Sequence, residues 1–235
     1  MPVATIGIES PIAGGKTTFC RKVAERLNGL VIEEPVEDNP YLLGFYDELQ
    51  KNEPKLPMGL MPPLWHLPFV MQIYLLHRRY TSFQAAAHLA LQRGGDDGPI
   101  FLDRTIWFDE VFARMLHESG HISDEQWSCY LYCLSVMSIG LCFPSHIIYL
   151  YVTPETAYRR LNERSRDGET VSLNYLQQLH DGYERRWSEM ERGLIPGARG
   201  SRLERVNWNL DVPVGDEDTW RSTSEMVRAI LSSGS

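Results

Sequence analysis

The chain has 235 residues, is 43% hydrophobic, and carries a formal charge of −8 from 23 basic and 31 acidic side chains. That apolar content excludes a disordered chain, and the acidic balance argues against nucleic acid, whose sequence-independent binding rests on basic surface. No apolar run of 18 residues exists to span a membrane, and the length fits one domain over 1–235 with a small lid.

The chain opens directly on an apolar strand pattern over 3–8, so no signal peptide is expected. A turn of small residues follows and delivers Gly15-Lys16-Thr17 to the start of a helix over 16–27. Such a turn aims backbone N–H groups and the positive end of a helix dipole at an anion. In this phosphate loop, 8–17, Lys16 is expected on the outer phosphates of a nucleotide and the Thr17 hydroxyl on Mg²⁺. Ser10 stands where the full motif has its first glycine.

Further strands are predicted at 30–33, 100–102, 147–152 and 203–206, alternating with helices at 40–50, 64–92, 106–118, 124–142, 155–163, 173–191 and 218–231. Short apolar strands between longer helices point to a parallel sheet covered on both faces. Ligands in such folds sit at the carboxyl ends of the strands. Glu34 follows the second strand, where a carboxylate facing a phosphate loop can take a proton from an attacking hydroxyl; read alone, a surface acid fits equally. Asp103-Arg104 ends the third strand. There an acid can hold Mg²⁺ and an arginine can grip phosphate oxygens, although a strand-end salt bridge is the other reading. The segment 51–63 holds four prolines and a glycine, which marks a loop or insertion.

The most basic run of this acidic chain is 159–166. Arg160 and Arg164 share a helix face and Arg166 falls in the next turn. Such a cluster can close over phosphates or form a solvated face. Gln72, Arg79 and Asp109 are polar positions in apolar helical surroundings; an amide can pair with a base edge, but pattern alone fits exposed positions. Cys20, Cys129, Cys133 and Cys142 form no CxxC pair and are expected as buried small hydrophobes in a reducing, cytoplasmic setting. No histidine pair has metal-ligand spacing. The segment 124–142 is apolar nearly all round, as in a core or interface helix.

Together these segments resemble the deoxynucleoside kinase family: the loop 8–19, the stretch 34–42, the helix 72–80, Asp103-Arg104-Thr105, the run 160–166 with Glu169, and 175–180. The resemblance implies an α/β P-loop kinase fold with a five-stranded parallel sheet, helices on both faces and an Arg-rich lid, 160–169. It also implies transfer of a phosphoryl group from ATP, with Mg²⁺, to the 5′-hydroxyl of a deoxynucleoside. Ser10, Pro11, Ile12, Ala13, Gly14, Gly15, Lys16, Thr17 and Thr18 would form the donor loop, with Arg160, Arg164 and Arg166 closing over it. Glu34 would be the general base and Arg104 would orient it. Asp103 would position Mg²⁺, with Thr17; between the two acids, the position of Glu34 after the second strand favours it as proton acceptor. Glu169 would hold the 3′-hydroxyl with Tyr46, Gln72 would bond the base, and Arg79 with Asp109 would form a charged pair near it. That pair favours deoxyadenosine, deoxyguanosine or deoxycytidine over thymidine, and the bacterial form of the segments favours purines. The family is commonly dimeric, so a homodimer is expected. A nucleoside monophosphate kinase and a catalytically silent structural subunit are the rival readings.

Overall fold

The computed structural model describes residues 3–34, 39–42, 44–46, 67–94, 97–141, 143–164, 171–195 and 198–232. Five strands, β1 (Thr5–Glu9), β2 (Leu30–Ile32), β3 (Ile100–Asp103), β4 (His146–Tyr151) and β5 (Arg202–Asn207), form one sheet in the order β2-β3-β1-β4-β5. All neighbours run parallel. Parallel strands need crossovers, and helices supply them: α1 (Lys16–Arg26), α2 (Leu67–Gln92), α3 (Asp109–Glu118), α4 (Asp124–Ser138), α5 (Pro154–Arg164) and α6 (Leu173–Glu191), with α7 (Glu217–Ser232) following β5.

Side-chain alternation along the strands divides the core in two. Ile100, Leu102, Ile147 and Tyr149 pack against α2, α3, α4 and α6. Ile6, Ile8, Phe101, Ile148 and Leu150 turn the other way, against α1, α5 and α7. Both faces are therefore covered, which is why β3 and β4 read as nearly unbroken apolar runs.

Register then sets the site. Ile8 lies opposite Asp103, and Ile32 opposite Leu102. Strands in a sheet are about 4.8 Å apart, so the carboxyl ends of β2, β3 and β1 deliver Glu34, Asp103-Arg104 and the loop after Glu9 side by side.

Element ends depart from expectation for local reasons. The stretch expected as one helix over 106–118 begins as a 3₁₀ turn, Ile106–Phe108, and becomes α-helical only at Asp109. Helix α4 stops at Ser138 rather than 142, because Ile139 is extended and Gly140 takes φ 76°, a left-handed conformation that glycine adopts without penalty. Of the helix expected over 40–50, residues 42 and 44–46 are helical and the remainder lies partly outside the described residues. Pro-rich 51–63 lies outside them entirely, as do Arg166, Glu169 and Cys142. The cysteines depart as well: Cys20 is buried, but Cys129 is exposed and Cys133 half-buried. Among the described residues, no helix is long and apolar enough to cross a membrane.

Candidate active site

The loop after β1 is held by two glycines. Gly15 has φ 86° and caps α1 with no side-chain hydrogen bond among the described residues, so the N–H groups of the first turn can face a ligand. Ser10 is fully buried, and a Cβ on Gly14 would lie 1.6 Å from its Oγ. Serine in place of the motif's first glycine is thus accommodated by a glycine four residues on. The Gly14 N–H donates to the Pro11 carbonyl at 3.2 Å and closes the turn.

Lys16 is buried and donates to the Ser10 carbonyl at 3.1 Å. Burial, with Arg104 nearby, pushes its ammonium down to about 8, although Asp103, Glu34 and Glu9 act the other way. The Thr17 hydroxyl donates to Asp103 Oδ2 at 2.5 Å. Asp103 Oδ1 is buried with no hydrogen-bond partner among the described residues, and burial raises the carboxyl above its usual range despite Lys16. A hydroxyl and a carboxylate meeting at a phosphate loop form a hard oxygen set. That set fits Mg²⁺, which takes one or two protein oxygens and fills its remaining positions with water and phosphate.

Arg104 follows at φ 85°, a left-handed conformation that costs a non-glycine residue about 1–2 kcal/mol. Its neighbours over-determine it. The Arg104 N–H donates to the Ile8 carbonyl at 3.1 Å, and the Thr105 N–H donates to Glu9 Oε1 at 2.6 Å. Burial pushes Glu9 up to about 7, against Arg104 and the Thr105 hydrogen bonds. The guanidinium donates from Nε to Glu34 Oε1 at 3.0 Å and from Nη1 to the Tyr183 hydroxyl, and lies 4.8 Å from the Phe112 ring centroid.

Glu34 is also held by Arg79 Nη2, and Arg79 Nη1 pairs with Asp109 Oδ1. Burial alone would raise the Glu34 carboxyl, but Arg104, Arg79 and Lys16 outweigh it and hold it well below the usual carboxylate range. The result is a continuous buried network: Asp109, Arg79, Glu34, Arg104.

A cavity of about 430 Å³ opens on these groups, within the roughly 300–1,000 Å³ of small-molecule sites. Ile12, Ala13, Lys16 and Thr17 wall one end. Gln72, Arg79, Met71, Leu75, Phe45, Tyr46 and Phe112 wall the other, with Glu34 and Arg104 between. Gln72 Oε1 is buried with no hydrogen-bond partner among the described residues. Asp109 has no exposed surface and stands behind Arg79. Pro11 is buried within the loop, and Thr18 faces a second cleft of about 490 Å³. That cleft is lined by Gly15, Arg160, Arg164, Trp208 and Leu210. Arg160 donates to the carbonyls of Trp208 and Leu210 at 2.9 and 2.7 Å. Arg164 lines both spaces.

The chain is similar to known proteins along most of its length. The family model for deoxynucleoside kinase matches residues 6–199. The chain belongs to the deoxynucleoside kinase family. It is 35% identical to a deoxyadenosine kinase of Dictyostelium discoideum over 205 residues, 87% of this chain and 72% of the relative. It is 29% identical to a deoxyguanosine kinase of the same organism over 203 residues, 86% of this chain and 63% of that one. The solved deoxyadenosine kinase of M. mycoides with bound dCTP has a TM-score of 0.72 at 23% identity, covering 97% of this chain and 99% of that chain. That likeness establishes the P-loop kinase fold. As a member of this family the chain is an enzyme that phosphorylates nucleosides, and a nucleoside triphosphate is its donor.

Three groups around these residues escape a reading of the sequence: Glu9, Tyr183 and Trp208. Glu9 had a signal, since it is an acid ending an otherwise apolar strand. The two aromatic residues read as ordinary core positions.

Proposed function

We propose that this kinase, as one domain with 160–169 as its lid, transfers the γ-phosphoryl group of ATP to the 5′-hydroxyl of a purine deoxynucleoside in nucleotide salvage. The observation that carries this reading is Glu34. It lies between the phosphate loop and the Gln72–Arg79 end of the cavity, ionised and held by two arginines.

The chemistry follows from that position. The acceptor oxygen attacks the γ-phosphorus, its proton passes to Glu34, and the bond to the leaving diphosphate breaks. Phosphoryl transfer passes through a loose transition state, so positioning and charge neutralisation matter more than base strength. A carboxylate well below its usual range therefore suffices, because it is always ready to accept a late proton. Lys16 and the free N–H groups of the α1 first turn hold the donor phosphates, with Ser10, Pro11, Ile12, Ala13 and Gly14 shaping the loop around them. Arg104 steadies Glu34 and faces the transferring group, and Arg160, Arg164 and Arg166 close from the lid. Mg²⁺ on Thr17 and Asp103 would neutralise phosphate charge.

Gln72 and Arg79 read the base edge, backed by Asp109, and Tyr46 with Glu169 holds the sugar 3′-hydroxyl. Relatives named for deoxyadenosine and deoxyguanosine support a purine. A monophosphate acceptor fits less well, because Arg79 and Arg104 are already neutralised by Glu34 and Asp109.

The outer side of α4 exposes Leu131, Tyr132 and Val136, with Ile139 just beyond its end. We assign this face to a second copy of the chain; light scattering at micromolar concentration should give a dimer, and a monomer would refute it. Among the described residues, Cys20, Cys129 and Cys133 are free thiols, which suits a cytoplasmic setting.

The test is Mg²⁺-dependent phosphorylation from ATP across deoxyadenosine, deoxyguanosine, deoxycytidine, thymidine and their monophosphates. Turnover of purine nucleosides is expected. Turnover of monophosphates alone would remove Glu34 from its role, and no turnover at all would favour a silent subunit.

A further inference from the structure

Arg79 reaches the cavity, whereas its partner Asp109 does not. Asp109 sits at the first turn of α3 with no exposed surface, and its Oδ1 is turned to Arg79 Nη1. Its Oδ2 accepts from the Tyr130 hydroxyl at 2.6 Å. Tyr130 comes from the inner side of α4 and is itself fully buried. Its ring stacks on Trp127 at 5.8 Å and 8°, and Trp127 stacks on His117 at 5.3 Å and 11°. Burial pushes the phenol far above its usual range, so the hydroxyl stays a donor.

A carboxylate held by one oxygen cannot turn freely. With Oδ2 fixed by Tyr130, Oδ1 is directed at Arg79, and the guanidinium is presented to the cavity in one orientation. We propose that Tyr130 is a positioning residue for base recognition, acting through Asp109 to fix Arg79. The inference rests on reading the cavity as a nucleoside site. It separates base selection, which depends on α4, from the transfer step, which depends on Lys16, Glu34 and Arg104. Arg104 still holds Glu34 when Asp109 is released, so the step should survive loss of the hydroxyl.

The test compares Tyr130→Phe with Tyr149→Phe, a buried tyrosine whose hydroxyl donates to Glu184 at 2.9 Å, a residue outside the cavity wall. Each variant is assayed with deoxyadenosine, deoxyguanosine and thymidine at saturating ATP. A hydrogen bond to a buried charge is worth about a tenfold change or more. Tyr130→Phe should raise KM for the preferred purine about tenfold and shrink its preference over thymidine. Its kcat should stay within about threefold, and KM for ATP should not move. Tyr149→Phe should lower Tm without touching the preference. A Tyr130→Phe enzyme that keeps both KM and preference while losing only Tm overturns the inference. Should that variant not fold, Asp109→Asn keeps an oxygen for Tyr130 but removes the charge facing Arg79. It should also lose preference, and unchanged preference would overturn the relay. A wild-type enzyme inactive on every nucleoside would sink the nucleoside reading itself.

Discussion

The two ends of the cavity are built on opposite electrostatic principles. The donor end is a backbone device: a tight loop, an uncapped helix start, and one lysine whose burial pushes its ammonium down to about 8. Its positive groups await an anion. The acceptor end is a side-chain device, in which Arg79 and Arg104 are already matched by Glu34 and Asp109. It has little net charge left to offer and reads shape and hydrogen-bonding pattern instead. One site can therefore bind a highly charged donor beside a neutral acceptor without either invading the other's place.

The sharpest way to break this contrast is Lys16→Ala. It removes the one side-chain cation of the loop, and turnover should fall by about 10²–10³-fold with folding intact by circular dichroism. An active Lys16→Ala enzyme would end the donor-loop account. Glu34→Gln keeps the shape of the acceptor end but removes its proton acceptor, so kcat should drop about 10²–10⁴-fold. Near-normal turnover would shift the base role to Asp103 or solvent.

The donor end should also titrate where the acceptor end does not. Lys16 must be protonated to bind phosphate, so kcat/KM for ATP should fall about tenfold per pH unit above pH 8. Glu34, held below the usual carboxylate range, should add no acid limb between pH 5 and 8. A smaller effect concerns stability. Glu9 has a folded value near 7, above its ordinary 4.5. The folded state thus binds the extra proton, and the contribution is present below 4.5 and lost as pH rises through 7. Glu9→Gln has no such loss. Its Tm relative to the parent should rise by about 5–10 °C between pH 5 and pH 8, the shift for about 2–3 kcal/mol in a chain of this size. A constant difference across that range would contradict it.

Legibility followed the same division. The donor loop is contiguous, so its glycines, Lys16 and Thr17 stand out from spacing alone. Even its off-pattern Ser10 needed only the structure's close approach to Gly14 to be explained. The acceptor end joins residues separated by 45 and 70 positions, Glu34 with Arg79 and Glu34 with Arg104. Sequence could nominate Arg79 as polar in apolar surroundings, and Glu34 and Arg104 as charges at strand ends, but could not pair Arg79 with Glu34, because the packing of α2 against the sheet makes that contact. The parallel sheet was legible from its alternation with helices, while element ends set by single conformations, such as Gly140, were not. Arg166 and Glu169 remain expectations from resemblance.

The most direct test of the central claim is the position of the new phosphate on the product. After reaction of the preferred purine deoxynucleoside with ATP, phosphorus NMR with proton coupling reads it. Transfer to the 5′-hydroxyl facing Glu34 predicts a triplet, from the pair of 5′ protons. A doublet, from phosphate on the 3′-oxygen, would contradict the placement of the sugar and the role of Glu34 together.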